Sequence, residues 1–166
     1  DAVINPFRDF IDQQGLRSAM MVLLFLVLYK LGDNMATALS TPFYLDVGFS
    51  LSQIGSIAKV ASLVAVIVGG LVGGLMMLKL GINKGLWLFG IVQVISILGF
   101  AVLAEVGANP WVLGAVVALE YLGVGLGTAA FTAFIARATN PAFAATQFAL
   151  FTALAALPRN LANATT

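Results

Sequence analysis

The 166-residue sequence contains no cysteine and no histidine, and only 9% of its residues are charged. Without cysteine the chain has no disulfides or thiolate metal ligands, and without histidine it lacks the most common metal ligand. We therefore expect no cofactor and no metal site. A typical soluble domain is about 25% charged, whereas this chain is 61% hydrophobic and has a mean hydropathy of +1.04. The composition indicates a membrane protein, and a net charge of +1 predicts no nucleic-acid partner.

The first residues are polar and lack the basic region that begins a signal peptide. The sequence starts at Asp1 rather than at Met and stops soon after an apolar segment, so we expect it to be a fragment of a longer protein. Asn5-Pro6 is typical of a helix start, and Gly15 is a suitable end. Residues 1–17 are therefore predicted to be a cytoplasmic amphipathic linker, or a simple linker, before a transmembrane bundle over residues 18–166.

Long apolar runs predict an all-α fold, a polytopic transmembrane bundle of about five helices. Thr41-Pro42 is expected to end the first helix, and residues 43–52 to form a turn in which Ser50 or Ser52 caps the second. Short loops are expected at residues 79–85 and 105–109. The predicted helices cover about residues 18–40, 53–78, 86–104 and 110–136, with a fifth starting near 142.

Charged residues lie inside the first apolar run, where they are costly by several kcal/mol. Lys30 and Asp33 are three residues apart and share a helical face, which Asn34 joins. Such groups usually face a cavity or a bundle interior. The pattern therefore favours a transport pathway, and the alternative is a self-neutralising pair that only helps helices pack.

Further polar groups fall at similar depth in the other helices. Lys59, Glu120 and Arg159 lie in the middle or outer part of their spans. Together with Lys30 and Asp33, they predict a shared polar cavity. No recognisable set of nucleophile, base and metal accompanies them, so no catalytic residue is predicted and an enzyme is not expected. Gln93 and Gln147 are additional polar positions in apolar segments.

Small residues recur at helical spacing and predict close helix packing. One stripe lies on the second helix, and two glycines lie on the fourth. Such positions either allow helices to rock against each other or simply pack statically. The residues are Ala61, Ala65, Gly69, Gly73, Gly125 and Gly127.

Basic loop residues fall on one side of the predicted bundle if the helices alternate. Lys79 and Lys84 join helices two and three, and Arg137 follows helix four. Asp46 and Glu105 lie on the opposite side. The positive-inside rule therefore predicts that the 79–85 loop is cytoplasmic.

The basic loop resembles a loop motif of the major facilitator superfamily, G-x-L-A-D-R-x-G-R-K-R-x-L. The residues that carry the resemblance are Gly74, Lys79, Gly81 and Lys84, followed by Leu86. Leu78 stands where the motif has an acidic residue. The resemblance implies a cytoplasmic loop, in agreement with the charge distribution.

A closer resemblance extends over nearly the whole chain. Six segments, in order and spacing, are similar to the AmpG-like muropeptide permeases of that superfamily: residues 7–10, 28–33, 47–49, 88–93, 125–131 and 145–150. The resemblance implies that the five helices correspond to the seventh to eleventh of a two-lobed transporter in the bacterial inner membrane. The remaining half of that transporter would be a partner. The implied activity is proton-driven import of anhydro-muropeptides for cell-wall recycling.

Such a glycopeptide carries hydroxyls, amides and carboxylates. Asp33 and Glu120 are predicted to carry the coupling proton, because a carboxyl removed from water binds a proton more readily. The candidates for substrate binding or charge pairing are Lys30, Asn34, Lys59, Gln93, Gln147 and Arg159. Two alternatives stay open: a carrier of the same fold for another cargo, such as an acetyl-CoA-like compound, sugar, peptide or drug, and a non-transporting membrane scaffold.

Overall fold

The computed structural model describes residues 11–12, 15–139, 145–149, 151–153 and 156. These residues are helical apart from short turns, and they include no strand. Four helices are long and apolar enough to cross a membrane, which confirms the predicted all-α, multi-span class. They are α1 (Leu16–Val47), α2 (Leu51–Leu80), α3 (Ile82–Val106) and α4 (Pro110–Ala138). Residues 145–149 and 151–153 of the predicted fifth helix are helical, and its later part, including Pro158-Arg159, lies outside the described residues.

Helix α1 does not end at Thr41-Pro42, so that prediction was wrong. Pro42 lies inside the helix and removes one backbone donor, a defect that membrane-spanning helices tolerate. The helix ends at Gly48 instead, whose φ of 106° suits glycine. The Gly48 N–H donates to the Leu45 carbonyl at 3.0 Å, and the Phe49 N–H donates to that of Tyr44 at 3.0 Å. The turn between α1 and α2 is therefore much shorter than the predicted 43–52.

Helix α2 begins with a capping box, which confirms Ser50 as its cap. The Gln53 N–H donates to Ser50 Oγ at 3.3 Å, and the Ser50 N–H donates to Gln53 Oε1 at 3.0 Å. Residues Ile54–Ala58 then form a π-helical turn before the α-helix resumes at Lys59. The Ser56 hydroxyl bonds back to the Ser52 carbonyl at 2.9 Å. The sequence does not predict this π turn.

The connections between the later helices are shorter than expected. Gly81, with φ of 76°, is the single residue between α2 and α3, so the predicted 79–85 loop is largely helical. Helix α3 extends past Glu105 to Val106, and Gly107 ends it with φ of 77°. Asn109 then caps α4, its Oδ1 accepting from the Trp111 N–H at 3.0 Å.

The chain divides into two compact units. In the terminal unit, residues 1–38 and 133–166, Phe25 packs on Tyr29 and on Phe134 with ring centroids 5.4 and 5.0 Å apart. The central unit, residues 39–132, contains the last nine residues of α1 (39–47), all of α2 and α3, and most of α4. Its core comprises Tyr44, Phe49, Ile54, Ala58, Leu103, Leu113, Val116 and Val117.

Within the central unit, α4 lies between α2 and α3. Helix α2 runs parallel to α4, because Gly69 faces Leu122 and Gly73 faces Leu126. Helix α3 is antiparallel to α4: Gly99 faces Val116, and Gln93 faces Gly123. Small residues at these crossings let the backbones approach closely, so α4 is the most enclosed helix of the unit.

Candidate functional site

Glu120 is the most deeply buried charged residue that the structure describes, with a relative exposure of 1%. It lies on α4 between two contacts with α3, Val116 against Gly99 and Gly123 against Gln93. Interpolation between those contacts places Glu120 at the level of Ser96 on α3. A carboxyl group is therefore held inside the central unit, at mid-span and away from lipid.

The adjoining face of α3 supplies polar atoms to this level. Gln93 and Ser96 are both buried, and the Ser96 hydroxyl donates to the Gln93 carbonyl at 2.8 Å. A Cβ atom at Gly123 would lie 3.3 Å from Gln93 Cα and 3.4 Å from Ser96 Oγ. The glycine therefore allows α3 and α4 to meet closely one turn from Glu120.

Tyr44 completes the site from the end of α1. Its side chain is 3% exposed and lies near Glu120 in the same unit. The ring stacks on Phe100 at 6.1 Å with an interplanar angle of 21°, while Phe43 meets Phe100 edge-on at 5.6 Å. These aromatic contacts hold the phenol inside the unit. We refer to Tyr44, Gln93, Ser96 and Glu120 as the buried polar group.

Sequence reasoning missed Tyr44 because Pro42 was expected to end the helix before it. The signal that could have found it is the spacing of Ser40 and Tyr44. Four residues apart, they share a face if α1 continues, and both are buried. Ser40 is thus a further buried polar residue on α1, next to Tyr44 on the same helical face.

The other predicted polar residues either lie apart from the buried polar group or have side chains that the structure does not describe. Lys59 is exposed at the end of the π turn, so it does not join the buried polar group. In the terminal unit, Asn34 is half-buried and Gln147 is fully buried. Lys30 and Asp33 belong to α1, but their side chains lie outside the description, as does the whole of Arg159.

The predicted small residues lie mostly at the crossing of α2 and α4. Ala65, Gly69, Gly73, Gly125 and Gly127 are buried, and Ala61 is half-buried against the core. The residues of the loop motif are exposed around the turn between α2 and α3: Gly74, Lys79, Gly81 and Lys84.

The only ionisable carboxyl of the buried polar group is that of Glu120. No group of three or more His, Cys, Asp or Glu residues able to hold a metal occurs among the described residues. A single carboxyl removed from water can instead alternate between a neutral and a charged form. The four helices that are long and apolar enough to span a membrane define the described part of the chain as a polytopic helical membrane protein.

Comparisons with known proteins show which membrane proteins this chain resembles. No protein-family profile matches the chain. The anhydromuropeptide permease of Escherichia coli K12 is 42% identical over 159 residues, covering 95% of this chain and 32% of the permease. A Haemophilus influenzae protein whose name assigns no activity is 52% identical over 160 residues, covering 92% of this chain and 38% of that protein. A Rickettsia felis protein named "Putative transporter AmpG 4" is 35% identical over 159 residues, covering 96% of this chain and 38% of that protein.

The chain is therefore homologous to the AmpG anhydromuropeptide permeases along nearly all of its length. It spans about a third of the length of the relatives it matches. Its bacterial relatives and its four apolar spans make it a multi-pass protein of the bacterial inner membrane.

Proposed function

We propose that the chain forms the start of the carboxy-terminal half of a major facilitator carrier that imports anhydro-muropeptides for cell-wall recycling, driven by protons. The observation that carries the proposal is Glu120, a carboxyl buried at mid-span in a chain homologous to an anhydromuropeptide permease. In this proposal the protein moves its substrate without chemical change, as a carrier and not an enzyme. The remaining half of the transporter is the partner that completes the pathway.

Glu120 is the proposed coupling residue because of where the fold places it. The tight crossings of α4 with α2 and α3 exclude lipid from its carboxyl. Ser96 supplies a polar atom at the same level, and Tyr44 is buried nearby. A buried polar site favours a carboxyl that protonates on one side of the membrane and releases the proton on the other. Asp33 stays the second candidate for this role.

In our proposal Gln93 helps to position the Glu120 carboxyl and does not bind the substrate. Its backbone is packed against Gly123 and its carbonyl accepts from Ser96. A side chain in such a helix interface is better suited to orienting a neighbouring carboxyl than to meeting a bulky glycopeptide. Gln147, also fully buried, has the same character in the terminal unit.

Lys59 is the described cation best suited to a substrate carboxylate. It lies about 12 Å along α2 from Leu51, and it is exposed on a helix whose surface is otherwise largely apolar. An ammonium at that depth is costly in lipid and is usually directed to a cavity or a partner. We therefore place Lys59 at the pathway, together with Lys30 and Arg159 as predicted from the sequence.

The experiment is uptake into proteoliposomes that contain the complete carrier. A labelled anhydro-muropeptide should accumulate only under a pH gradient that is acidic outside, and unlabelled muropeptide should compete with it. Competition by acetyl-CoA, free sugar or free peptide instead would favour another cargo. Saturable uptake that ignores the pH gradient would contradict proton coupling, and no uptake of any of these solutes would favour the scaffold.

A further inference from the structure

The turn between α2 and α3 forms a basic, apolar-edged surface at one end of the central unit. Lys79 lies in the last turn of α2, and Lys84 in the first turn of α3, with Gly81 alone connecting the helices. Trp87 follows Lys84 by three residues and shares its face, and it is 78% exposed. Leu78, also strongly exposed, continues the apolar edge. We refer to Lys79, Lys84 and Trp87 as the turn surface.

The two tryptophans of the chain indicate where this surface lies in a bilayer. In the α3–α4 register, Trp111, which is 88% exposed, is level with Glu105 on α3. Trp87 and Glu105 are 18 residues apart on one helix, or about 27 Å along its axis. The hydrocarbon core of a bilayer is about 30 Å thick, with tryptophans enriched at both of its boundaries. Trp87 therefore lies at one boundary, and Lys79 and Lys84 lie at the headgroups just beyond it.

The acidic residues of the central unit all lie away from the turn surface. All residues from 39 to 132 are described, and the only acidic ones are Asp46, Glu105 and Glu120. Asp46 and Glu105 lie at the end opposite the turn surface, and Glu120 is buried at mid-span. No acidic residue of this unit therefore neutralises Lys79 or Lys84, and both are exposed.

We propose that the turn surface is a binding site for the headgroup of an anionic phospholipid in the leaflet that it faces. The two ammonium groups match the phosphate of such a headgroup, whose negative charge is not offset by a headgroup amine, and Trp87 anchors at the glycerol level with its ring beside the first acyl carbons. The apolar edge at Leu78 contacts the same chains. This inference does not depend on the cargo or on proton coupling.

The test measures retained lipid on the complete protein. The protein is reconstituted in nanodiscs of phosphatidylethanolamine in which about one lipid in five is phosphatidylglycerol. It is then extracted gently, and its bound lipid molecules are counted by native mass spectrometry. Wild type should retain phosphatidylglycerol in excess of its share. Each lysine near an anionic surface contributes about a fivefold effect, so Lys79→Gln with Lys84→Gln should lower that preference roughly 25-fold.

Two control variants make the outcome specific. Lys79→Arg with Lys84→Arg keeps both charges and should retain the wild-type preference, which separates headgroup binding from a folding defect. Lys59→Gln removes a cation from the same unit, away from the turn, and should leave phosphatidylglycerol retention unchanged. Wild-type retention by the double glutamine variant, or an equal loss in Lys59→Gln, overturns the proposal.

Discussion

Gly69 of α2 lies directly against the backbone of Leu122 on α4, whereas its neighbour Gly70 faces open space. Adjacent glycines of one helix thus have opposite surroundings. A methyl group at position 69 meets backbone atoms that cannot rotate away, so the two helices must separate. The same methyl group at position 70 meets nothing within 4 Å.

The first prediction follows from this pair. Gly69→Ala should lower the free energy of unfolding by about 1–3 kcal/mol, as overpacking does. Gly70→Ala should be neutral or stabilising by up to about 1 kcal/mol, because alanine is the better helix former. Unfolding of both variants in mild detergent, followed by circular dichroism, compares them. Equal midpoints for the two variants would contradict the close α2–α4 crossing.

The second prediction concerns the buried carboxyl. Glu120→Gln keeps the shape of the side chain and removes its titration. In the complete carrier we expect this change to abolish uphill uptake under a pH gradient and to spare counterflow exchange, which needs no net proton movement. Glu105→Gln, at an exposed position, is the matched control and should accumulate substrate as wild type does. Wild-type accumulation by Glu120→Gln would leave Glu120 with a structural role only.

The third prediction concerns the start of α2. Ser50→Ala removes the side-chain acceptor of the capping box, and it should cost about 1 kcal/mol of stability. Ser52→Ala lies two residues away at an exposed position and should cost little. Thermal unfolding of the two variants in one detergent provides the measurement. If Ser52→Ala is the more destabilising change, the assignment of the cap is incorrect.

The fourth prediction is the topology that the loop charges indicate. Single cysteines at Asn83 and Asp46, both exposed, should label oppositely with a membrane-impermeant reagent in intact cells. Because this segment contains no cysteine, only the rest of the carrier needs a cysteine-free background. Asp46→Cys should react from outside, and Asn83→Cys only after the membrane is permeabilised. Labelling of both sites from outside would refute the positive-inside assignment.

Apolar runs were sufficient to predict which parts of the chain form spanning helices, because burial in lipid demands length and continuous hydrophobicity. The ends were less predictable. Pro42 usually stops a helix, but the packing of Tyr44 and Phe49 favours its continuation to Gly48. The loops at 79–85 and 105–109 were too long in the prediction, because a single glycine with positive φ is enough to reverse the chain at Gly81 and to end α3 at Gly107.

The candidate site, too, was predictable from the sequence only in part. Glu120 stands out in the sequence as a charge in an apolar, glycine-rich segment. Which residues surround it depends on the register of α3 against α4 and on the continuation of α1. Neither can be predicted from the spacing of residues along the sequence. Ser96 and Tyr44 therefore become part of the site only once the helices are packed. The exposure of Lys59 likewise depends on the π turn that precedes it.

The one-residue connection at Gly81 has a consequence for biogenesis. A Cβ atom at Gly85 of α3 would lie 3.2 Å from Met77 Cγ of α2, so the two helices pack against each other immediately beyond the turn. Gln93 and Ser96 on α3 are covered by Gly123 of α4, a helix that is synthesised after both members of this pair. We therefore expect those polar atoms to lack this cover until α4 has been synthesised. The packing of α3 in the central unit is thus expected to be complete only after α4 has joined α2 and α3.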